Sequence, residues 1–328
     1  MYLGVDVGGT SIKFAVVDAD LKIIHYETCP TPDNVNLKIV DEIYRISADI
    51  KKKFSYNYLG ISAAGVIDTE KAEVISATDT IKNYIGVNFR DELSDRLGVA
   101  VCADNDVNCA LLGEQLLGCA KGLNEVFCIA LGTGIGGAYY LDKMPHGSCS
   151  SVGEIGQTMY NPKTGKNFEK RASTIALEKR IKREVHEKLS VKEFFAVCRY
   201  IEKDKKIEEC QSCLELEKTI ESMISQDKLK FMVDNHSEEI MKVLDEWLED
   251  FSIGISNMLL ILDPKYVVIG GAISKQGSYL IRKIEAKVKE IMPIKINKTK
   301  FLCASLGNNA AIYGAIYPYI SEYSKKNL

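Results

Sequence analysis

The sequence predicts an α/β fold made of two related units. Three observations carry that expectation. Short apolar runs of strand character alternate with segments of helical period along the chain, the mark of layered α/β structure. A strand, a glycine-rich turn and a second strand open the chain at "YLGVDVGGTSIKFAVVD" and recur at "VFCIALGTGIGGAYYLD", so two halves begin alike. The length of 328 residues suits one large or two medium domains.

Taken in order, "YLGVDV" is a strand, "GGTS" a turn, "IKFAVVD" a second strand, and "KIIHYE" a third after the short turn "ADL". Ile39, Ile43, Ile46 and Ile50 recur at spacings of three and four, which predicts a helix within 35–53. "YLGISAAG" reads as a strand ending in a small-residue loop, and "RDELSDRLG" as a helix with a glycine stop. "VAVCADND" is a strand and "VNCALLGEQLLG" the helix after it. The opening pattern then returns as "VFCIAL", "GTGIGG" and "AYYLD". Residues 170–190 have a helical look, and 191–235 form a charged, amphipathic helical segment without a motif. Residues 236–262 read as one long helix carrying Val243, Leu244, Leu248, Ile255 and Leu259, and Pro264 stops it. "YVVIGGAI" is a buried strand running into a glycine pair. "IRKIEAKVKEIM" is a helix, "KTKFLCASL" a strand and "NNAAIYGAIYPYI" a closing helix.

Composition excludes several function classes. Hydrophobic content of 46% and charged content of 27% describe an ordinary globular protein. A net charge of −3 gives no general attraction to nucleic acid or to anionic membranes. No apolar run approaches the ~20 residues that span a bilayer, and the start shows no basic and then apolar leader pattern. The ten cysteines are scattered, several inside strand-like runs where a thiol acts as a small hydrophobe. A reduced, cytoplasmic protein is expected. Cys210 and Cys213 form an isolated CxxC with no second pair, which reads as two thiols on a helix.

Gly132, Gly134 and Gly137 spell the G-x-G-x-x-G of a dinucleotide turn, and Glu154 stands near where that motif wants a ribose acid. The motif requires its third glycine to open a helix, whose N-terminus receives the pyrophosphate. Here "GAYYLDKM" follows, with the alternation of a strand and no cap, so NAD binding is not expected. A plain β-hairpin is the simplest alternative, since glycine serves wherever φ is positive. The first loop favours a different reading. Gly8, Gly9 and Thr10 repeat the same strand–turn–strand design, and backbone N–H groups in such turns can cradle phosphate oxygens. Asp6 ends the strand beside that loop, where a carboxylate can hold Mg²⁺ through water. Two phosphate turns and one acid across a cleft describe the ATP site of actin-like proteins and sugar kinases.

The chain resembles the ROK family of bacterial sugar kinases and sugar-responsive repressors. The resemblance rests on "DVGGTSIKFAVVD", "GISAAGVID", "NDVNCALLGE", "LGTGIGGA", "GEIG", "FEKRAS" and "PKYVVIGGAIS", which run in family order over nearly the whole chain. It implies two ribonuclease-H-like (actin-like ATPase) domains with a cleft between them. The expected small N-terminal domain covers 1–115 plus 308–328, with the last helix, near Gly314, crossing back to it. A larger domain covers 116–307 with a helical insertion around 191–235. ATP and Mg²⁺ are the implied cofactors, held by Asp6, Gly8, Gly9, Thr10, Lys13, Gly132, Thr133, Gly134, Gly270 and Gly271. The resemblance places Asp106 as general base for a sugar hydroxyl, expected to be O6; read alone, Asp106 is equally a cap of the helix after it. Sugar contacts are implied for Gly65, Asn83, Asn105, Glu154, Gln157 and Glu169. A homodimer is implied, as dimers are common in the family.

The sequence departs from the family pattern at Gln157, where many members have a histidine followed by a three-cysteine zinc run. No Cys or His stands between Cys149 and His186, so no structural zinc is expected; His146 and Cys149 read as ordinary loop residues. "IKNYIGVNFRDEL" and the missing zinc run lean toward the N-acetylmannosamine kinase and β-glucoside kinase branches. Two rival functions are a sugar-sensing repressor and a silent sugar-binding protein. A repressor places a helix-turn-helix segment before the first loop, and Asp6 stands too early for one. Intact Asp6, Asp106 and glycine loops argue against a silent protein.

Overall fold

The structure is a computed structural model that describes residues 1–78, 81–188, 238–295 and 298–326. The insertion expected around 191–235, with Cys210 and Cys213, lies outside the described residues. The chain divides into two compact units: Met1–Asn124 with Ala138–Val152 and Ser305–Leu328, and Glu125–Gly137 with Gly153–Ala304.

In the first unit, β1 (Tyr2–Val7), β2 (Ser11–Val17) and β3 (Ile23–Pro30) form an antiparallel meander. β4 (Tyr58–Ala63) and β7 (Ala100–Asn105) extend it in parallel, giving the order β3-β2-β1-β4-β7. Beyond their first residues, Tyr2 and Tyr58, the apolar runs of β1 and β4 are buried, as strands covered on both faces require. Helix α1 (Lys38–Lys51) buries Ile39, Ile43, Ile46 and Ile50, the stripe the sequence marks. It covers one face with α2 (Phe89–Leu97), which Asn88 caps at the Asp91 N–H and Gly98 ends at φ 61°. A short hairpin of β5 (Val66–Asp68) and β6 (Glu73–Ser76) follows β4 and has no clear sequence signal.

The other face carries α3 (Asp106–Leu117) and the last helix, α8 (Ala310–Lys326), which packs on α3, β1 and β4. Small residues make that packing close. A Cβ at Gly60 would stand 2.0 Å from the Ala315 carbonyl oxygen, and one at Gly314 would stand 1.6 Å from that of Cys109. Buried Glu114 near the end of α3 accepts from the N–H groups of Cys119, Ser305 and Leu306 and from the Ser305 hydroxyl, each at 2.8 Å.

The second unit is built on β8 (Val126–Leu131), β9 (Ile135–Tyr140), β10 (Tyr266–Gly270) and β11 (Lys300–Cys303), in the order β11-β10-β8-β9. β9 starts at Ile135, inside the glycine motif, so Gly137 belongs to a strand and no helix follows it. The helical stretch after residue 170 is two helices, α4 (Phe168–Ala172) and α5 (Thr174–Lys188), broken at Ser173. The long helix α6 (Glu238–Leu262) packs against both and against α7 (Gly277–Ile291). Its buried Trp247 donates to the Ala172 and Ser173 carbonyls at 3.0 and 3.2 Å and stacks on Phe251. No helix among the described residues is long and apolar enough to cross a membrane.

Candidate functional site

The residues singled out by the sequence form two groups, one on each unit. On the first unit they gather at the carboxyl ends of β1, β4 and β7, where open α/β sheets bind ligands. Asp6 is 8% exposed. Its Oδ2 accepts from Lys13 Nζ at 2.7 Å and its Oδ1 from the Ser62 hydroxyl at 2.9 Å. Both partners follow from register, because Asp6 pairs with Lys13 across the hairpin and with Ser62 on β4. At the hairpin tip the Gly8 N–H closes on the Ser11 carbonyl at 3.1 Å, and Thr31 braces the loop through Gly8 O and Thr10 O. The Gly8 amide is thus engaged within the turn, while Gly9 and Thr10 are exposed.

Asn105 and Asp106 share the β7–α3 junction. Asn105 is the cap: its Oδ1 accepts from the N–H groups of Val107 and Asn108 at 2.8 and 3.2 Å, and its Nδ2 donates to Gly65 O at 2.8 Å. Asp106 is the first helical residue, half-buried, with Oδ1 2.9 Å from the Val107 N–H that Asn105 already caps. Asn105 is thus the cap, and Asp106 is the acid of the first turn. Gly65 holds φ 96°, and a Cβ there would meet Ser76 O at 2.4 Å. Asn83 is exposed at φ 52°, a left-handed conformation that asparagine tolerates. Buried Asn34 fixes it by donating to Asn83 O at 2.7 Å while accepting from Ile39 N at the start of α1. Next to it, Tyr84 is 1% exposed and its hydroxyl has no hydrogen-bond partner among the described residues. Burial, with the nearby Asp106 and Asp6 charges, pushes that phenol well above its ordinary value.

On the second unit the glycine loop, the "GEIG" segment and the β10 exit converge. Gly132 N–H closes on Gly134 O at 3.0 Å, and Gly132 O accepts from the Thr174 N–H and hydroxyl at the start of α5. Neither Gly132 nor Gly134 has a positive φ, and a Cβ at Gly132 would meet nothing within 4 Å. At Gly134 a Cβ would lie 2.4 Å from Glu169 Oε2, which accepts from Ile135 N at 3.0 Å. "GEIG" packs on this loop backbone to backbone: a Cβ at Gly156 would fall 2.0 Å from Ile135 O, and one at Gly137 would fall 2.5 Å from Gly153 O. Glu154 is seated near Glu169 in this way, and burial together with the Glu169 charge raises its pKa. Gln157 Oε1 accepts from Asn167 Nδ2 at 2.8 Å. That leaves Gln157 its NH₂ as the polar end, where the sequence suggests both donor and acceptor. Gly271, at φ 84°, passes so close to the end of β8 that a Cβ would stand 2.4 Å from Leu131 O. Gly270 ends β10 beside it.

Asn34, Ser62, Thr31, Asn167 and Thr174 hold these residues in place; Ser62 lies inside "GISAAGVID", and no motif marks the other four. Asn167 and Thr174 carry the weak signal of cap-type residues at helix starts; Asn34 and Ser62 become visible only through contacts far along the chain. Among the described residues no group of three or more His, Cys, Asp or Glu is placed to hold a metal ion.

A family model described as the ROK family matches residues 2–321. Among curated relatives, the glucokinase of Halalkalibacterium halodurans is 27% identical over 95% of this chain and 93% of its own length. The β-glucoside kinase of Listeria monocytogenes is 23% identical over 98% and 97%. The N-acetyl-D-glucosamine kinase of Photobacterium profundum is 26% identical over 98% and 100%. Among solved structures, a glucokinase from Streptomyces griseus, determined with glucose and AMPPNP, is similar with a TM-score of 0.76 and 25% identity, covering 96% of this chain and 97% of that one.

Proposed function

The chain belongs to the ROK family, and from that premise we propose that it is an ATP-dependent sugar kinase phosphorylating a hexose or N-acetylhexosamine at O6. Relatives named for glucose, β-glucosides and N-acetylglucosamine support a sugar kinase reaction broadly. The observation that carries the catalytic assignment is the β7–α3 junction. There Asn105 caps the helix from outside, and Asp106 stands half-buried as its first residue at the carboxyl end of β7.

In this reading Asp106 accepts the proton of the attacking sugar hydroxyl as the γ-phosphoryl group transfers, the part a carboxylate base plays in phosphoryl transfer. Asn83, Gly65, Asn105, Glu154, Gln157 and Glu169 hold the sugar. The tips at Gly9–Thr10 and Thr133–Gly134 receive phosphate oxygens, with Gly8 and Gly132 giving the loops their shape. Gly270 and Gly271 let the nucleoside lie against backbone. Lys13 contributes positive charge beside the first loop. Asp6, whose oxygens accept from Lys13 and Ser62, would hold Mg²⁺ through water, since one carboxylate with water and substrate phosphates is the usual arrangement for that ion. When bound, Mg²⁺ would supply charge neutralisation at the phosphates, and Asp6 would hold its water shell. The test is ADP release with a panel of glucose, N-acetylmannosamine, N-acetylglucosamine, fructose and a β-glucoside. At least one sugar should support turnover; none doing so would overturn the kinase assignment.

A further inference from the structure

A second cavity, of about 420 Å³, opens within the first unit, bordered by the end of β7, by α3, by α8 and by residues 140–146. None of the residues assigned above to sugar or nucleotide lines it. Its size falls in the range of small-molecule sites. One wall carries Asp104, whose Oδ1 accepts from the Asn105 N–H at 2.7 Å and Asn108 Nδ2 at 2.8 Å, so its direction is fixed. Burial raises the pKa of that carboxyl, and the facing His146 opposes the rise. Tyr317 and Tyr140 also line the cavity. Lys143 and Asp142 stand exposed at its edge, and Asp142 accepts from Asn124 Nδ2 at 2.7 Å. The apolar parts come from Leu112, Met144 and Pro318.

This lining selects a ligand class. The lining mixes two carboxyl groups with a lysine and an imidazole rather than gathering one sign of charge, so the cavity does not call for an ion of either sign. Fixed acceptors, rotatable donors and tyrosine rings side by side suit a compact ring bearing several hydroxyls. We propose that this cavity is a second ligand site, one that takes a neutral monosaccharide-sized polyol. Asp104 links it to the first site, because the same carboxylate oxygen orients Asn105 and Asn108 at the start of α3. Occupancy of one site would thus alter affinity at the other, reciprocally.

Equilibrium binding of labelled glucose and of N-acetylmannosamine to the full chain, without nucleotide, tests this. The expected result is a binding class that weakens about tenfold or more in the Lys143→Ala/His146→Ala double variant and in Tyr317→Phe, yet keeps its affinity in Asn83→Ala. Thermal unfolding checks that each variant is folded. If no binding of either sugar depends on Lys143, His146 and Tyr317, the proposal is overturned. Loss of the other class, the one sensitive to Asn83→Ala, counts instead against the kinase reading, so the two failures are distinguishable.

Discussion

At residue scale, the sequence leaves Asp106 open between base and cap, and the structure gives the cap to Asn105 one position earlier. Asn105 satisfies the helix start from outside, so an amide at 106 should leave the fold standing. Asp106→Asn is expected to lower kcat by at least ~10²-fold with an unchanged melting temperature; comparable losses of stability and rate would mean a structural role. Gly132 offers a second test. Neither φ nor internal space requires glycine there. Gly132→Ala should fold normally while kcat/KM for ATP falls about tenfold, because in the proposed site the added methyl would occupy open space at the loop where phosphate would bind. An unchanged kcat/KM for ATP would remove Gly132 from the nucleotide site.

At the scale of elements, the β6–α2 connection that carries Asn83 is tied to the start of α1 by the buried Asn34 amide. Asn34→Asp keeps the acceptor for Ile39 N–H and loses the donor to Asn83 O. The KM for sugar should rise about tenfold with the KM for ATP unchanged; equal shifts in both would show a general loss of structure. The seating of α8 on α3 is equally specific. Gly314→Ala places a methyl on the Cys109 carbonyl, and the helices must part. Thermal unfolding should report a loss of about 1–3 kcal/mol or more, the usual cost of overpacking. A melting temperature equal to that of the unaltered protein would show that the contact is looser.

For the whole molecule, Glu114 fixes the margins of the first unit. Cys119 lies just before the chain leaves that unit and Ser305 just after it returns. Burial alone would raise the Glu114 pKa, but the donors from Leu306, Cys119 and Ser305 outweigh it and hold it below the ordinary value. A folded-state pKa below the unfolded one gives stability that is fully present above the unfolded value, about 4.3, and is lost as pH falls through the folded value. Glu114→Gln should therefore cost about 1.5–3 kcal/mol at pH 7, with a shallower decline in acid measured by denaturant unfolding. Equal stability at pH 7 would refute the anchoring role.

Much of this was legible in the sequence, and for identifiable reasons. Strand and helix periods, Pro264, Gly98 and the two glycine loops are local signals, and the elements stand where those signals put them. The break at Ser173 and the β5–β6 hairpin escaped because their patterns are only a few residues long. The supporting residues escaped for another reason: Asn34 meets Asn83 forty-nine positions later, and Ser62 meets Asp6 fifty-six positions earlier. His146 reads as an ordinary loop residue, and only the fold places it on a cavity wall with Asp104.

In the proposed function this chain moves a phosphoryl group from ATP to a sugar with Asp106 as base. Sugar-dependent ADP release, measured side by side for the unaltered chain and for Asp106→Asn, tests it most directly. Turnover is expected with at least one hexose or N-acetylhexosamine, with its near abolition in the folded variant. No turnover with any sugar, or near-normal turnover in the variant, would contradict it.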